Sequence, residues 1–216
     1  APGRGDLAAP TPARGRETGP PHATSPTPAA TLRAVVVGGG PAGMQAARVL
    51  ALRGHRVILF EATGRLGGQI RLAERAAWRR DLAGIADWLA AELGHLGVEI
   101  RFDTWAEADT VLAEAPDIVI DATGGLPKAP TIPGADLVAS GWEALTSPPE
   151  PGRSVLIHDE VGGHQAVALA EFLSRRGCRV EICTPDRLVG RELGGSSYPV
   201  YLGNLARAGV VMTPAT

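Results

Sequence analysis

Three glycines and one acid carry the clearest chemical signal in this chain of 216 residues. Gly38, Gly40 and Gly43 form the pattern Gly-x-Gly-x-x-Gly. In this pattern the first glycine permits a tight turn, the second lets a pyrophosphate approach the backbone, and the third lets a helix pack closely on a sheet. Glu61 follows about 20 residues later, where a carboxylate accepts ribose hydroxyl groups. The spacing predicts a site for an adenine dinucleotide or its ADP half.

The residues around these glycines predict the elements that position them. Residues 34–37 are a short apolar, β-branched run, which is typical of a strand buried on both faces. Residues 41–52 have the apolar spacing of a helix, and residues 56–60 form the next strand. Glycine turns also occur between packed elements that bind no ligand. Here strand, turn, helix, strand and acid follow in the order of a dinucleotide-binding unit, which favours the binding interpretation.

A second pair of glycines, Gly67 and Gly68, follows Glu61 within the stretch ATGRLGGQ. This stretch is either an ordinary glycine turn or a second segment whose backbone N–H groups approach the pyrophosphate. We favour the second interpretation, because a glycine pair directly after the ribose acid recurs in flavoproteins with two dinucleotide domains.

Downstream, residues 80–97 predict an amphipathic helix and residues 98–102 a third strand. The apolar side of the helix would carry Leu82, Ile85, Trp88, Leu89, Leu93 and Leu96. Trp78 and Trp88 are expected in the core or at a domain contact rather than against a cofactor.

Residues 117–121 predict another strand. Small residues follow directly after it, among them Thr123 and Gly124. Small residues at a strand end leave space for a flat ligand. Asp121 has two interpretations, a catalytic acid or a carboxylate that orders the following turn, and we favour the second.

A second unit of the same kind is predicted from residue 153, with strands over 153–157 and 179–183 and a helix over 165–176. The glycine pattern of this unit is incomplete, because His158, Asp159 and Glu160 occupy the positions where the first turn glycine is expected. Two acids at this position would repel a pyrophosphate, which argues against NAD(P) binding. We expect Cys178 and Cys183 not to form a redox pair.

Composition narrows the function classes. The net charge is −2, the sequence pI is about 6.2, and 44% of the residues are hydrophobic. These values do not favour nucleic-acid binding. No apolar run suggests a membrane span or an export signal, so a cytoplasmic location is expected. Two cysteines are too few for a four-cysteine iron–sulfur cluster or a disulfide framework.

The predicted architecture is an α/β fold with Rossmann-like parallel sheets and two dinucleotide-binding-type units, the second of them incomplete. Residues 1–32 form a Pro/Ala-rich leader that is expected to be disordered. Residues 33–147 form the FAD- or ADP-binding unit. Residues 152–216 form the second unit, which resembles an NAD(P) domain.

In these motifs the chain resembles the C-terminal half of the flavoproteins related to trimethylamine dehydrogenase and 2,4-dienoyl-CoA reductase. The matching segments are VVVGGGPAGMQAARVLALRGHRVILFE, GRLGGQ, LGVEI, DIVIDATGGLPKAPTIPG and HDEVGGHQAVALAEFLSRRGCRV. Within that family, GGHQAVALAEFLSRRG and VGRELGGSSYPVYLGNL are most similar to the amine-demethylating branch, which includes N-methylproline demethylase-like proteins.

The resemblance implies FAD or ADP on the first unit and a role in electron transfer. It assigns the cofactor to Gly38, Gly40, Pro41, Ala42, Gly43, Glu61, Ala62, Arg65, Gly68, Gln69, Thr123 and Gly124. In this family an N-terminal barrel carries FMN and a 4Fe-4S cluster, and substrate chemistry occurs there. The given sequence includes neither the barrel nor the cluster cysteines, so we expect a fragment or subunit that needs a barrel partner and an electron-transfer protein. The alternative is a non-catalytic adenine-nucleotide module that supports a partner subunit.

Overall fold

Strands and helices alternate along the chain. The structure is a computed structural model that describes residues 30–128, 130–131 and 133–216. Residues 1–29 of the predicted leader therefore lie outside the described residues. The strands in the described part are β1 (Arg33–Val37), β2 (Arg56–Phe60), β3 (Glu99–Arg101), β4 (Ile118–Asp121), β5 (Ser154–His158), β6 (Arg179–Thr184) and β7 (Val211–Pro214). The α-helices there are α1 (Pro41–Leu52), α2 (Ile70–Ala73), α3 (Ala83–His95), α4 (Ala108–Leu112), α5 (Gly141–Thr146), α6 (His164–Arg175) and α7 (Tyr198–Arg207).

The first sheet has the strand order β3-β2-β1-β4, and all neighbouring strands are parallel. In the register of the sheet, Val35 of β1 lies beside Ile58 of β2 and Val119 of β4. Because the strands are parallel, their carboxyl ends lie at one edge, and the loops that follow β1, β2 and β4 meet there.

Helices on both faces of this sheet fix the position of that edge. On one face, Val36 and Leu59 pack with residues of α1 and α3, namely Met44, Ala47, Ala86, Leu89 and Leu93. On the other face, Val35, Ile58 and Phe60 pack with Val111 of α4. The short β-branched run of β1 therefore fills a strand that is buried on both sides, as its sequence predicts.

The second sheet has the order β5-β6-β7 and is also parallel. Ile157 and Ile182 point to the face that α6 covers, where they pack with Val167. Leu156, the neighbour of Ile157 in the strand, is 64% exposed on the opposite face. The two parallel sheets with their helices confirm the predicted α/β, Rossmann-like fold class.

A segment of the first unit packs into the second unit. Ala76 is 1% exposed and belongs to the buried cluster that contains Val167 and Tyr201. The ring of Trp78 meets Tyr201 edge-on, with 6.4 Å between the ring centroids. Trp78 is therefore a contact residue between the units, as its sequence context suggests.

The helix predicted over residues 80–97 differs from the observed one. Its first turns form a 3-10 helix, Ala77–Leu82, and α3 ends at His95. Ile85 and Trp88 were expected on the buried side but are 49% and 52% exposed. The buried stripe is formed by Ala86, Leu89 and Leu93, whose spacing of three and four residues defines one helix face. Trp88 lies beside this stripe, under the guanidinium of Arg48.

No helix in the described ranges is long and apolar enough to cross a membrane. Within the same residues, no group of three or more His, Cys, Asp or Glu side chains is arranged to hold a metal ion.

Candidate dinucleotide-binding site

Three loops converge at the carboxyl edge of the first sheet. They are residues 38–40 after β1, residues 61–69 after β2 and residues 122–125 after β4. Backbone and side-chain contacts join all three. The predicted cofactor residues belong to these loops and to the first turn of α1, and the structure brings most of them together.

The turn after β1 depends on two close approaches that only glycine allows. Gly38 has φ +103°, and a Cβ at this position would collide with the carbonyl oxygen of Ala122. A Cβ at Gly43 would collide with the carbonyl oxygen of Gly38. These contacts hold the start of α1 against the sheet, as the first and third glycines of the pattern are expected to do.

Gly40 differs from its neighbours because its surroundings are open. Apart from Gly40 itself and its two chain neighbours, no heavy atom of the described residues lies within 4 Å of the point that a Cβ would occupy there. Gly40 is the N-cap of α1, and within the described part no side chain caps this helix start. The first turn contains no acid, and Pro41 at its start has no N–H. At such a helix start the N–H groups of Ala42 and Gly43 have no intrahelical partner, which suits an anion.

Glu61 connects the loop after β2 to the glycine turn. Its carboxylate is buried, with the residue 7% exposed. Oε2 accepts a hydrogen bond from Gly39 N at 2.8 Å, and Oε1 accepts bonds from Thr63 N at 2.8 Å and Thr63 Oγ1 at 2.7 Å. A carboxylate has about four acceptor positions. Three are used by the described residues, which leaves one acceptor position, on Oε2.

The second glycine pair forms the opposite wall of the open space. Gly67 N donates to the carbonyl oxygen of Gly39 at 2.9 Å. A Cβ at Gly68 would lie 3.1 Å from the Cα of Gly40. The amide of Gln69 reaches across to the third loop, where Nε2 donates to the carbonyl oxygen of Gly125 at 3.0 Å. The residues after Glu61 therefore lie against the glycine turn after β1, which supports their interpretation as a second approach segment.

Other predicted site residues lie further out. Arg65 is exposed, and its guanidinium lies 3.8 Å from the carboxylate of Glu74. Ala62 is exposed beside Glu61, and Thr123 and Gly124 are exposed on the rim. These four predicted residues are therefore exposed around the converging loops.

Asp121 orders the rim. Its Oδ1 accepts hydrogen bonds from Thr123 N at 3.0 Å and from Thr123 Oγ1 at 2.8 Å. These two bonds lower the pKa of the Asp121 carboxyl below its usual value. This arrangement supports the turn-ordering interpretation that we favoured for this acid.

Thr63 is a structural residue of the site that motif analysis missed. A signal was present, because Glu61-x-Thr63 and Asp121-x-Thr123 share one spacing. In both, an acid at or directly after a strand end accepts bonds from the backbone and hydroxyl of a threonine two residues later. Local turns of this kind are common for threonine.

The corresponding turn of the second unit is occupied by the chain itself. Asp159 is 5% exposed, and its Oδ1 accepts bonds from Val161 N at 3.1 Å and Gly162 N at 3.0 Å. The Glu160 side chain is 74% exposed and lies against His158 instead. The expectation that two acids lie at this turn is therefore correct for Asp159 and wrong for Glu160, whose side chain turns outward.

The fold and this edge define a dinucleotide-binding protein of the Rossmann type. Residues 32–215 match the family model described as pyridine nucleotide-disulphide oxidoreductase. The chain belongs to this family.

Known proteins similar to the chain are oxidoreductases. It is 44% identical over 202 residues to a probable N-methylproline demethylase of Rhizobium meliloti, covering 93% of this chain and 30% of that protein. It is 43% identical over 203 residues to the N,N-dimethylglycine/sarcosine dehydrogenase of Chromohalobacter salexigens, covering 90% and 29%. A solved 2-naphthoyl-CoA reductase complex is similar with a TM-score of 0.82 at 28% identity, covering 87% and 28%. These proteins confirm the resemblance to the trimethylamine dehydrogenase-related flavoproteins and their amine-demethylating branch.

The chain spans about 30% of the length of the curated relatives that it matches.

Proposed function

We propose that the chain is the cofactor-binding, electron-transfer part of an FAD-dependent oxidoreductase of the amine dehydrogenase, demethylase or enoate reductase type. The observation that carries this proposal is the open space at Gly40. It lies at an uncapped helix start, beside Gly68 and a buried strand-end acid. An ADP moiety has the pyrophosphate and ribose hydroxyl groups that such a space accepts.

The residues present fit FAD or ADP. The pyrophosphate would lie against Gly38, Gly40, Pro41, Ala42 and Gly43, and Glu61 would accept one ribose hydroxyl with its remaining acceptor position. The rim would be formed by Ala62, Gly68, Gln69, Thr123 and Gly124, with Arg65 at its outer side. When FAD is bound, its isoalloxazine ring accepts and passes on two electrons.

Substrate chemistry would take place on a partner. A barrel domain or subunit carrying FMN and a 4Fe-4S cluster would supply the electrons, and an electron-transfer protein would take them up. The relatives support this proposal, because they are about three times longer than the matched region. A cytoplasmic location fits such a protein, and we propose no nucleic-acid or membrane partner.

The proposal is tested by the colour and ligand affinity of the purified chain. We expect a flavin absorbance spectrum, either directly or after addition of FAD, and displacement of FAD by ADP. A dissociation constant weaker than about 100 μM for both FAD and ADP would refute the proposal, since this value corresponds to a binding free energy of only about 5.5 kcal/mol. A colourless chain that binds ADP but not FAD would refute the electron-transfer role and support the adenine-nucleotide module.

A further inference from the structure

A cysteine, a histidine and a glutamate meet at the carboxyl edge of the second sheet, outside the dinucleotide site. Cys183 of β6 lies beside His158 of β5 in the register of the sheet. Their strand neighbours Ile157 and Ile182 point into the core, so His158 and Cys183 point to the opposite, open face. The thiol is partly exposed, and the His158 side chain is 52% exposed. Reagents in solution therefore reach this cluster.

The hydrogen-bond geometry sets the role of each ring nitrogen. His158 Nε2 lies 3.3 Å from Glu160 Oε1, and His158 Nδ1 lies 3.5 Å from Cys183 Sγ. A carboxylate only accepts hydrogen bonds, so Nε2 must carry a proton. In the neutral imidazole Nδ1 is then the acceptor, and it faces the thiol. A base in this position lies within reach of the thiol proton, and a carboxylate on the other ring nitrogen holds the imidazole in that orientation.

Cys178 has different surroundings. It is 7% exposed, and its sulfur lies 3.7 Å from the carbonyl oxygen of Glu150 and 3.9 Å from that of Pro149. Backbone carbonyl oxygens do not take a proton from a thiol. Cys178 therefore serves as a buried reference thiol that has no base beside it.

We propose that Cys183 is an activated thiol and a site of oxidation by hydroperoxides, with His158 as its base and Glu160 as the residue that positions His158. The thiol proton moves to His158 Nδ1, and the thiolate attacks the terminal peroxide oxygen. An S–O bond forms and the O–O bond breaks. The sulfur loses two electrons and becomes a sulfenic acid, while the leaving oxygen takes the proton from His158 and departs as water or an alcohol. This site is separate from the proposed cofactor site and does not depend on it.

The test measures the rate at which iodoacetamide alkylates each cysteine of the native chain, followed by peptide mass spectrometry. At about pH 7 we expect Cys183 to react at least about tenfold faster than in His158→Gln, because an ordinary thiol with a pKa of about 8.5 is mostly protonated there. Near pH 10 the two rates should converge, because any exposed thiol is then ionised. Glu160→Gln should give a smaller loss, and Cys178 should stay unmodified in all three proteins.

A second readout uses hydrogen peroxide followed by dimedone, which captures sulfenic acids. We expect labelling of Cys183 in the wild-type chain and little in His158→Gln. Equal Cys183 alkylation rates in wild type and His158→Gln at neutral pH would overturn the proposal. A rate difference that persists at alkaline pH would also overturn it, because accessibility rather than proton transfer would then explain the difference. If His158→Gln does not fold, the same comparison with Glu160→Gln decides, since that side chain is mostly exposed.

Discussion

The carboxylate of Glu61 accepts a hydrogen bond from the backbone N–H of Gly39 at 2.8 Å, which joins the end of β2 to the turn after β1. The acid proposed to bind a ribose is therefore also a structural part of the glycine turn after β1. Thr63 holds the other carboxylate oxygen. The side chain is fixed before any ligand arrives, which lowers the entropy cost of binding.

Replacement of Glu61 by alanine should weaken both binding and stability. Loss of a charge-assisted hydrogen bond to the ribose costs about 1.5–3 kcal/mol, which corresponds to about a ten- to hundredfold loss of affinity for ADP. Calorimetric titration with ADP and thermal melting of the free protein measure the two effects. Thr63→Val is the control, because it keeps the Thr63 backbone bond and should lose much less of both. Unchanged ADP affinity in Glu61→Ala would show that the carboxylate does not contact the ribose.

Two glycine substitutions separate binding from folding. Gly40→Val places a branched side chain in the open space, so the free protein should lose only about 1 kcal/mol of stability, through the poorer N-cap residue. Binding of FAD and ADP should be abolished. Gly43→Ala should instead lower stability by about 1–3 kcal/mol, because its Cβ collides with the carbonyl oxygen of Gly38, and ligand binding should fall with it because the same turn is displaced. Urea unfolding and ligand titration of both variants check this, and ADP binding by Gly40→Val within about twofold of wild type would contradict it.

Local sequence patterns predicted the first unit well. The glycine spacing, the apolar run before it and the acid after it specify β1, α1 and β2, whose observed bounds match the prediction to within one residue. These features depend on residues close in sequence and on backbone rules with few alternatives. The rim residues were also predictable, because parallel strands bring their following loops to one edge.

Contacts between distant segments were not predictable in the same way. The pairing of His158 with Cys183 depends on the register of two strands, and the sequence alone does not specify that register. Ala76 lies in a loop segment of the first unit, and only the position of the second unit buries it. Ile85 and Trp88 were placed on the wrong helix face because large apolar residues outweighed the small Ala86 in the sequence pattern.

The contact between the units should depend on Trp78. Its ring meets the fully buried Tyr201, and an aromatic pair of this kind contributes about 0.5–1.5 kcal/mol beyond burial. Trp78→Ala should therefore lower the free energy of unfolding of the second unit. Trp105→Ala is a matched control, because Trp105 is 77% exposed and should be close to neutral. Equal urea midpoints for the two variants would argue against this role of Trp78.

His164 should make the chain less stable in acid. Burial, and secondly the charge of Arg79, lower the pKa of His164 below its usual value. The unfolded chain then binds the proton more tightly than the folded chain. The stability contributed by neutral His164 is therefore fully present above the unfolded pKa of about 6.5. It is lost as the pH falls through the lower pKa of the folded chain. Unfolding free energies measured at acid and neutral pH should differ more in wild type than in His164→Gln. An identical difference in both proteins would assign the pH dependence to other groups.

The last prediction is that the second unit does not accept NADH or NADPH. The N–H groups of Val161 and Gly162, which a pyrophosphate would need, already donate to the buried carboxylate of Asp159. A carboxylate about 6 Å from one phosphate charge costs about 3 kcal/mol at an effective dielectric constant of 20. A nicotinamide cofactor with a dissociation constant of about 1–100 μM has a total binding free energy of only about 5.5–8 kcal/mol. Anaerobic titration of the flavin-loaded protein should therefore leave the flavin oxidised, and bleaching at micromolar NADH or NADPH would disprove the prediction. Asp159→Gly frees both N–H groups and removes the charge. If the carboxylate is the obstacle, this variant should bind NADH at least about tenfold more tightly than wild type, a change of about 1.4 kcal/mol.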